Sequence, residues 1–314
     1  MSPDRERGAV SVMVALLTVV LVGFAAISVD VAATWAERQQ LQTGADAAAL
    51  AVAQDCGRGS CGDAAGTAQA LAVANKNDGE VTARILDAGL GPSSGSVTVR
   101  TEGTQEHSFA TVFGVTQSDV ATEATARWGA PDGGTAVLPL AFSWCEWQAQ
   151  TGGGLPSGTT ERTIFFTKSS GTSCTGPSGN MVPAGFGWLT VNAGSCETSS
   201  TIGQIMWSDP GEDVPSGCTT ADLAAVQNST VLLPLYDQAG SSGSNAWYQL
   251  YGYAAFHVTG YHFVGQYSWS AEGDCKGSVR CIQGYFTQFV SLDERFTYST
   301  GAPSLGGSVV TLTR

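Results

Sequence analysis

The sequence predicts an α+β protein. A membrane-spanning helix runs outward over a small antiparallel sheet, and a disulfide-containing β-rich domain of sandwich or barrel type follows. Three observations carry this reading. Residues 9–29 contain no charge, all eight cysteines lie after that stretch, and beyond residue 80 short alternating apolar segments are separated by Gly, Pro and Ser turns.

The first element is the apolar stretch AVSVMVALLTVVLVGFAAISV. As a helix it reaches roughly 31 Å at 1.5 Å per residue, about one hydrocarbon core. Arg5 and Arg7 precede it and only Arg38 follows closely. This bias keeps residues 1–8 on the cytoplasmic side and exports the rest. A cleaved secretory signal has a shorter apolar core followed by a polar, non-helical stretch. Here Asp30 marks the exit, and DVAATWAERQQLQTGADAAALAVAQ, without proline, continues the helix to about Gln54. Leu41, Ala45, Ala48 and Val52 recur at helical spacing and form a narrow stripe suited to close packing against a sheet or another helix.

The arrangement Arg7-Gly8, an apolar span, Asp30 and then LQTGADAAALAVA resembles the N-terminal region of TadE/TadG-like proteins of Flp (tight adherence) pilus assembly, over about residues 5–54. The resemblance implies a non-enzymatic, pilin-like or assembly subunit held in a bacterial cytoplasmic membrane. Its partners would be membrane lipid and other pilus-assembly proteins or pilins. Type IV-type pilins often carry a glycine before the processed helix and a glutamate five residues later. Met13 stands at that offset from Gly8, so an intact start is expected. Larger relatives carry a metal-binding Asp-x-Ser-x-Ser motif, which this sequence lacks.

Residues 30–129 should comprise the outer helix and a small pilin-like α+β region. Its expected elements are a helix at 63–75, strands at 81–86, 97–101 and 120–128, and a helix or turn at 108–115. Val97, Val99 and Thr101 share one strand face, and Val120, Thr122, Ala124 and Ala126 share another. The segment APDGGT reads as a loop. Six of the eight tryptophans and six of the eight cysteines follow it, which places a boundary there and a second domain at 137–314. Strands are expected at 137–142, 162–167, 187–191, 231–236, 247–263 and 284–297, with one helix at 222–228 capped by Thr219 or Thr220. The Ser/Gly stretch 240–245 is short enough for a hairpin loop.

Cys56, Cys61, Cys145, Cys174, Cys196, Cys218, Cys275 and Cys281 contain no Cys-x2-Cys pair, and only three histidines accompany them. Disulfides on an oxidising side are therefore favoured over zinc. Spacing does not determine connectivity, and nearest-neighbour pairing is the working expectation.

The remaining motifs read as structural. Gly91-Pro-Ser93-Ser-Gly95 fits G-x-S-x-G in letters but precedes a strand rather than a helix. His257 and His262 lie five apart in an expected strand and point to opposite faces unless a bulge forms near Gly260. The acidic loops 209–213 and 237–245 lack the calcium-loop pattern. Asn228-Ser-Thr230 matters only in a eukaryotic secretory pathway. No catalytic residue, cofactor or metal is expected.

Trp247, Tyr251, Tyr253, Tyr261 and Trp269 all fall at odd positions, so an unbroken strand would gather them on one face. Packing under a second sheet is the favoured reading. The alternative is an exposed face that stacks on a cell-envelope glycan, as in a membrane-tethered adhesin. A net charge of −13 with three lysines excludes a nucleic-acid partner.

Overall fold

The computed structural model describes residues 4–240 and 245–313. The apolar, alanine-rich start folds as a single helix, α1 (Asp4–Gly57), of 54 residues. It is about 80 Å long at 1.5 Å per residue. It is the one helix among the described residues that is long and apolar enough to cross a membrane, and none of its most apolar window is buried by the rest of the chain. That exposure and the disulfides beyond it are consistent with single-pass anchoring of an extracytoplasmic domain.

The outer half of α1 is covered. Helix α2 (Ala64–Ala74) starts at Asp63, whose side chain accepts the Gly66 N–H. It packs on α1 so closely that a Cβ at Gly44 would lie 3.3 Å from the Ala72 Cα. Strands β1 (Thr82–Gly89), β2 (Gly95–Glu106) and β3 (Gln117–Ala136) form an antiparallel meander, with a 3-10 turn at Ala110–Phe113 between the last two. Val97 pairs with Ala126, Val99 with Ala124 and Thr101 with Thr122. All six are buried, and the apolar four share one core with α1 and α2.

The rest of the chain opens with β4 (Leu140–Ser143), α3 (Trp144–Thr151), β5 (Arg162–Phe165) and α4 (Thr167–Ser170). Five short strands follow: β6 (Ser173–Thr175), β7 (Met181–Pro183), β8 (Phe186–Trp188), β9 (Thr198–Thr201) and β10 (Ile205–Trp207). Helix α5 (Thr220–Ala225) leads into the long pair β11 (Thr230–Gly240) and β12 (Trp247–His262), then β13 (Ser268–Trp269) and β14 (Cys281–Thr287). The chain closes with β15 (Phe289–Ser291), β16 (Phe296–Ser299) and β17 (Gly307–Thr313).

One sheet runs β5-β14-β12-β11-β4-β8. Its two ends meet where Phe166, just after β5, bridges Phe186 of β8. The sheet therefore curls into a barrel around Phe142, Phe256, Phe286 and Trp188, and Trp147 of α3 packs in the same core. The expected β-rich, barrel-like region is thus present, and the fold is a mixed α+β with four disulfides.

Three expectations require correction. Residues 130–135 are not a loop: they lie inside β3, because β16 and β9 pair with them and satisfy a backbone whose composition alone suggests a turn. The boundary there is also crossed. β17 pairs with β3 over 125–129, and β15 pairs with β17, so part of 137–314 completes the first sheet. Finally, the strand expected at 284–297 is divided into parts of β14, β15 and β16, and α3 accompanies α5 as a helix of the second region. Helix α3 begins at Ser143, which caps the Cys145 N–H, and is held by the Trp147 indole donating to the Leu305 carbonyl.

Candidate functional site

The site that most sets this molecule apart is the junction where α1 emerges from the β region. Along α1, positions 30, 34, 37, 41, 45, 48 and 52 recur at three or four residues and face the same way. The upper four are the predicted stripe. Leu41, Ala45, Ala48 and Val52 are buried against the chain's own sheet and α2. The stripe is therefore not available to another helix, because β2, β3 and α2 already cover it.

Below the stripe the same face becomes polar. Thr101 of β2 donates from its hydroxyl to the Leu41 carbonyl at 2.9 Å and shares a hydrogen bond with Thr122. One helical turn lower, Glu37 forms an ion pair with Lys76 at 3.3 Å, and both side chains are almost fully buried. Burial opposes the ammonium charge, but Asp78 and Glu37 outweigh it and lift the Lys76 pKa above its ordinary value. Lower again, the buried Asp30 carboxylate accepts the backbone N–H groups of Ser108 at 2.9 Å, Phe109 at 3.0 Å and Ala110 at 2.6 Å. Burial raises the pKa of this carboxyl. The three amides and nearby His107 overcome that effect and hold it below its ordinary value.

The tip of the β2–β3 hairpin is thereby tied to α1 at the first charged residue after the span. Sequence reading identified Asp30 as an exit marker but missed it as an anchor. The signal was present: Asp30 and Glu37 continue the helical spacing of the buried stripe, where acidic residues need partners.

The long exposed helix, docked only from Asp30 onward, agrees with one comparison to known proteins. Residues 8–55 match the Tad family, described as putative Flp pilus-assembly TadE/G-like. No curated protein and no solved structure matches the chain. The Tad-like segment thus covers nearly the whole of α1, from the span through the stripe, and stops one residue before Cys56.

Beyond the Tad-like segment the cysteines pair as nearest neighbours: Cys56–Cys61, Cys145–Cys174, Cys196–Cys218 and Cys275–Cys281. The first closes the end of α1, and the second ties α3 to β6.

The five candidate aromatic residues are not gathered on one face. Register shifts in the β11–β12 and β12–β14 pairings, at Tyr251 and at Thr259, change which side of β12 faces the barrel. Tyr261 is consequently buried in the barrel core beside Phe263, whereas Tyr253 is buried on the opposite side against Phe296. Its hydroxyl donates to the Ser200 carbonyl at 2.6 Å, and burial pushes its pKa up to about 12. Tyr251 packs on Trp144, Trp269 leans on Tyr261, and Trp247 is half-buried at the strand start opposite Gly240. The hairpin expected at 240–245 has its flanks paired, while 241–244 lie outside the described residues.

The other motifs occupy structural positions. Ser93 lies in the β1–β2 hairpin, where the Gly91 carbonyl accepts the Trp128 indole N–H, and no helix follows. His257 bonds to Thr230 and stacks on Tyr285. His262 bonds to Ser268 and to the Gly277 carbonyl. In the acidic loop, Glu212 and Asp213 both pair with Arg280. Among the described residues no group of three or more His, Cys, Asp or Glu side chains is placed to hold a metal ion.

Proposed function

We propose that this protein is a non-enzymatic component of a Flp/Tad-type pilus-assembly system, a minor pilin-like or envelope assembly subunit. Residues 9–29 sit in the bacterial cytoplasmic membrane with the N-terminus inside, and the sheet, barrel and disulfides lie outside. The observation that supports this best is the coincidence of the Tad match with α1, whose most apolar window is left unburied among the described residues. In lipid, where apolar side chains gain little by meeting one another, helices associate through van der Waals packing of small residues. Ser11, Ala15 and Thr18, spaced four and three residues apart along the exposed span, supply that surface. The buried stripe does not contribute to it.

The test is crosslinking in native membranes followed by affinity purification of the full chain. Recovery of other pilus-assembly proteins is expected. Their absence under conditions that recover the protein itself would overturn the reading. Orientation is tested separately with a membrane-impermeant reagent, which should modify exposed residues beyond α1, such as Arg58, from the outside only.

A further inference from the structure

The hairpin tip held by Asp30 has an unusual surface for an exposed turn. Residues 108–116, SFATVFGVT, carry no charge, and Val112 and Phe113 are 83% and 79% exposed. Phe109 and Val115 are also exposed. Four outward apolar side chains on one short tip form a patch rather than the usual scatter of single exposed residues.

The location of the tip identifies what meets the patch. Val112 and Phe113 stand across a groove of about 710 Å³ from Gly23, Ala26 and Ile27 of α1. Gly23 precedes Asp30 by seven residues, so the groove reaches roughly 10 Å below the anchor. It lies beside the last two turns of the uncharged span. An added Cβ at Gly23 would meet nothing within 4 Å, so that wall is open.

At its outer end the groove is bounded by Arg38 and His107. Arg38 is exposed and has no ion-pair partner among the described residues, whereas His107 is already engaged through Nε2 with the Ser118 hydroxyl at 2.7 Å. The Asp30 charge, about 12 Å below Arg38 along α1, is already occupied by three amides.

We propose that this groove is a phospholipid site in the outer leaflet. One acyl chain lies between α1 and the tip, Val112 and Phe113 are immersed in the same leaflet, and the headgroup phosphate meets Arg38. An apolar channel continuous with lipid-facing helix, and ending at an unpaired cation, matches one amphiphile end to end. A second apolar helix would leave the Arg38 charge unanswered. The proposal rests on residues 9–29 lying in lipid.

The experiment uses the full chain in nanodiscs containing a phospholipid with a diazirine in its acyl chain, with labelled residues mapped by mass spectrometry. Labelling at 109–115 and at 23–31 is expected to exceed that of other exposed apolar positions such as Leu292 by roughly tenfold. Phe113→Ser and Arg38→Ala should each lower labelling at 23–31 several-fold, whereas Leu292→Ser should not. Val112 and Phe113 are exposed, so their substitution leaves the core intact, and disulfide mapping verifies the fold. Labelling of 9–22 without the tip would overturn the proposal while sparing the spanning helix. Tip-to-helix crosslinks between two copies in place of lipid labels would also overturn it. Absence of label throughout 9–29 would instead overturn the membrane reading on which it rests.

Discussion

Asp30 accepts the backbone N–H of Ala110 at 2.6 Å, joining positions eighty residues apart at the place where α1 leaves the β region. Because the folded carboxyl lies below its ordinary value, its contribution is complete above the ordinary carboxylate range and is lost as pH falls through the lowered value. In micelle-embedded full-length protein, the amide resonances of Ser108, Phe109 and Ala110 should therefore titrate together, with a midpoint below that range. Asp30→Asn should abolish the titration. A midpoint at or above the ordinary carboxylate value would show that these amides do not hold the charge.

The Glu37–Lys76 pair ties α1 to the turn that follows α2. Lys76→Met leaves the buried Glu37 carboxylate without its cation and should cost about 2 kcal/mol of stability. Adding Glu37→Leu should restore much of that loss, since two apolar groups need no partner. Thermal unfolding of the single and double variants checks this, and a double variant less stable than Lys76→Met would contradict it.

Gly44 sets how closely α2 approaches α1. Alanine there meets the Ala72 backbone at 3.3 Å, a contact relieved by a small shift and offset by better helix propensity, so Gly44→Ala should be near neutral. Gly44→Leu must separate the helices and should cost about 1–3 kcal/mol. Unfolding midpoints of the two variants should differ accordingly.

Disulfide loss should scale with the loop that each bridge closes. In the chain-entropy account, removing Cys145–Cys174, with a separation of 29 residues, costs about 3.6 kcal/mol. Removing Cys56–Cys61, with a separation of 5, costs about 2 kcal/mol. Paired Cys→Ser variants measured by denaturant unfolding give the comparison. A larger loss from the short loop would mean that sealing the end of α1 outweighs chain entropy.

Much of the first 129 residues was legible because local rules and burial agree there. The uncharged span, the proline-free alanine-rich continuation and the period-two pattern of Val97, Val99 and Thr101 each point to one element. α2 and β1–β3 lie where those patterns place them. The second region was less legible because its pattern is broken by tertiary devices. Trp247 to Trp269 reads as one alternating strand only if the register never shifts, and β12 shifts at both Tyr251 and Thr259. Residues 130–135 have the composition of a turn, yet partners on β9 and β16 make them strand.

The sequence by itself determined the apolar span, the placement of all eight cysteines after it, the continuation of the helix past Asp30, and the Tad-like pattern within it. These are local properties: charge, composition and a period of three to four residues. Only the tertiary structure decided what the helix touches. It buried Leu41, Ala45, Ala48 and Val52 inside the chain, turned Asp30 from an exit marker into the anchor of the 108–110 amides, and set Phe113 across a groove from Gly23. The physical reason is that these relationships join residues from about thirty to ninety positions apart. Such contacts are selected by the packing of a whole sheet on a helix, which no local window of sequence contains.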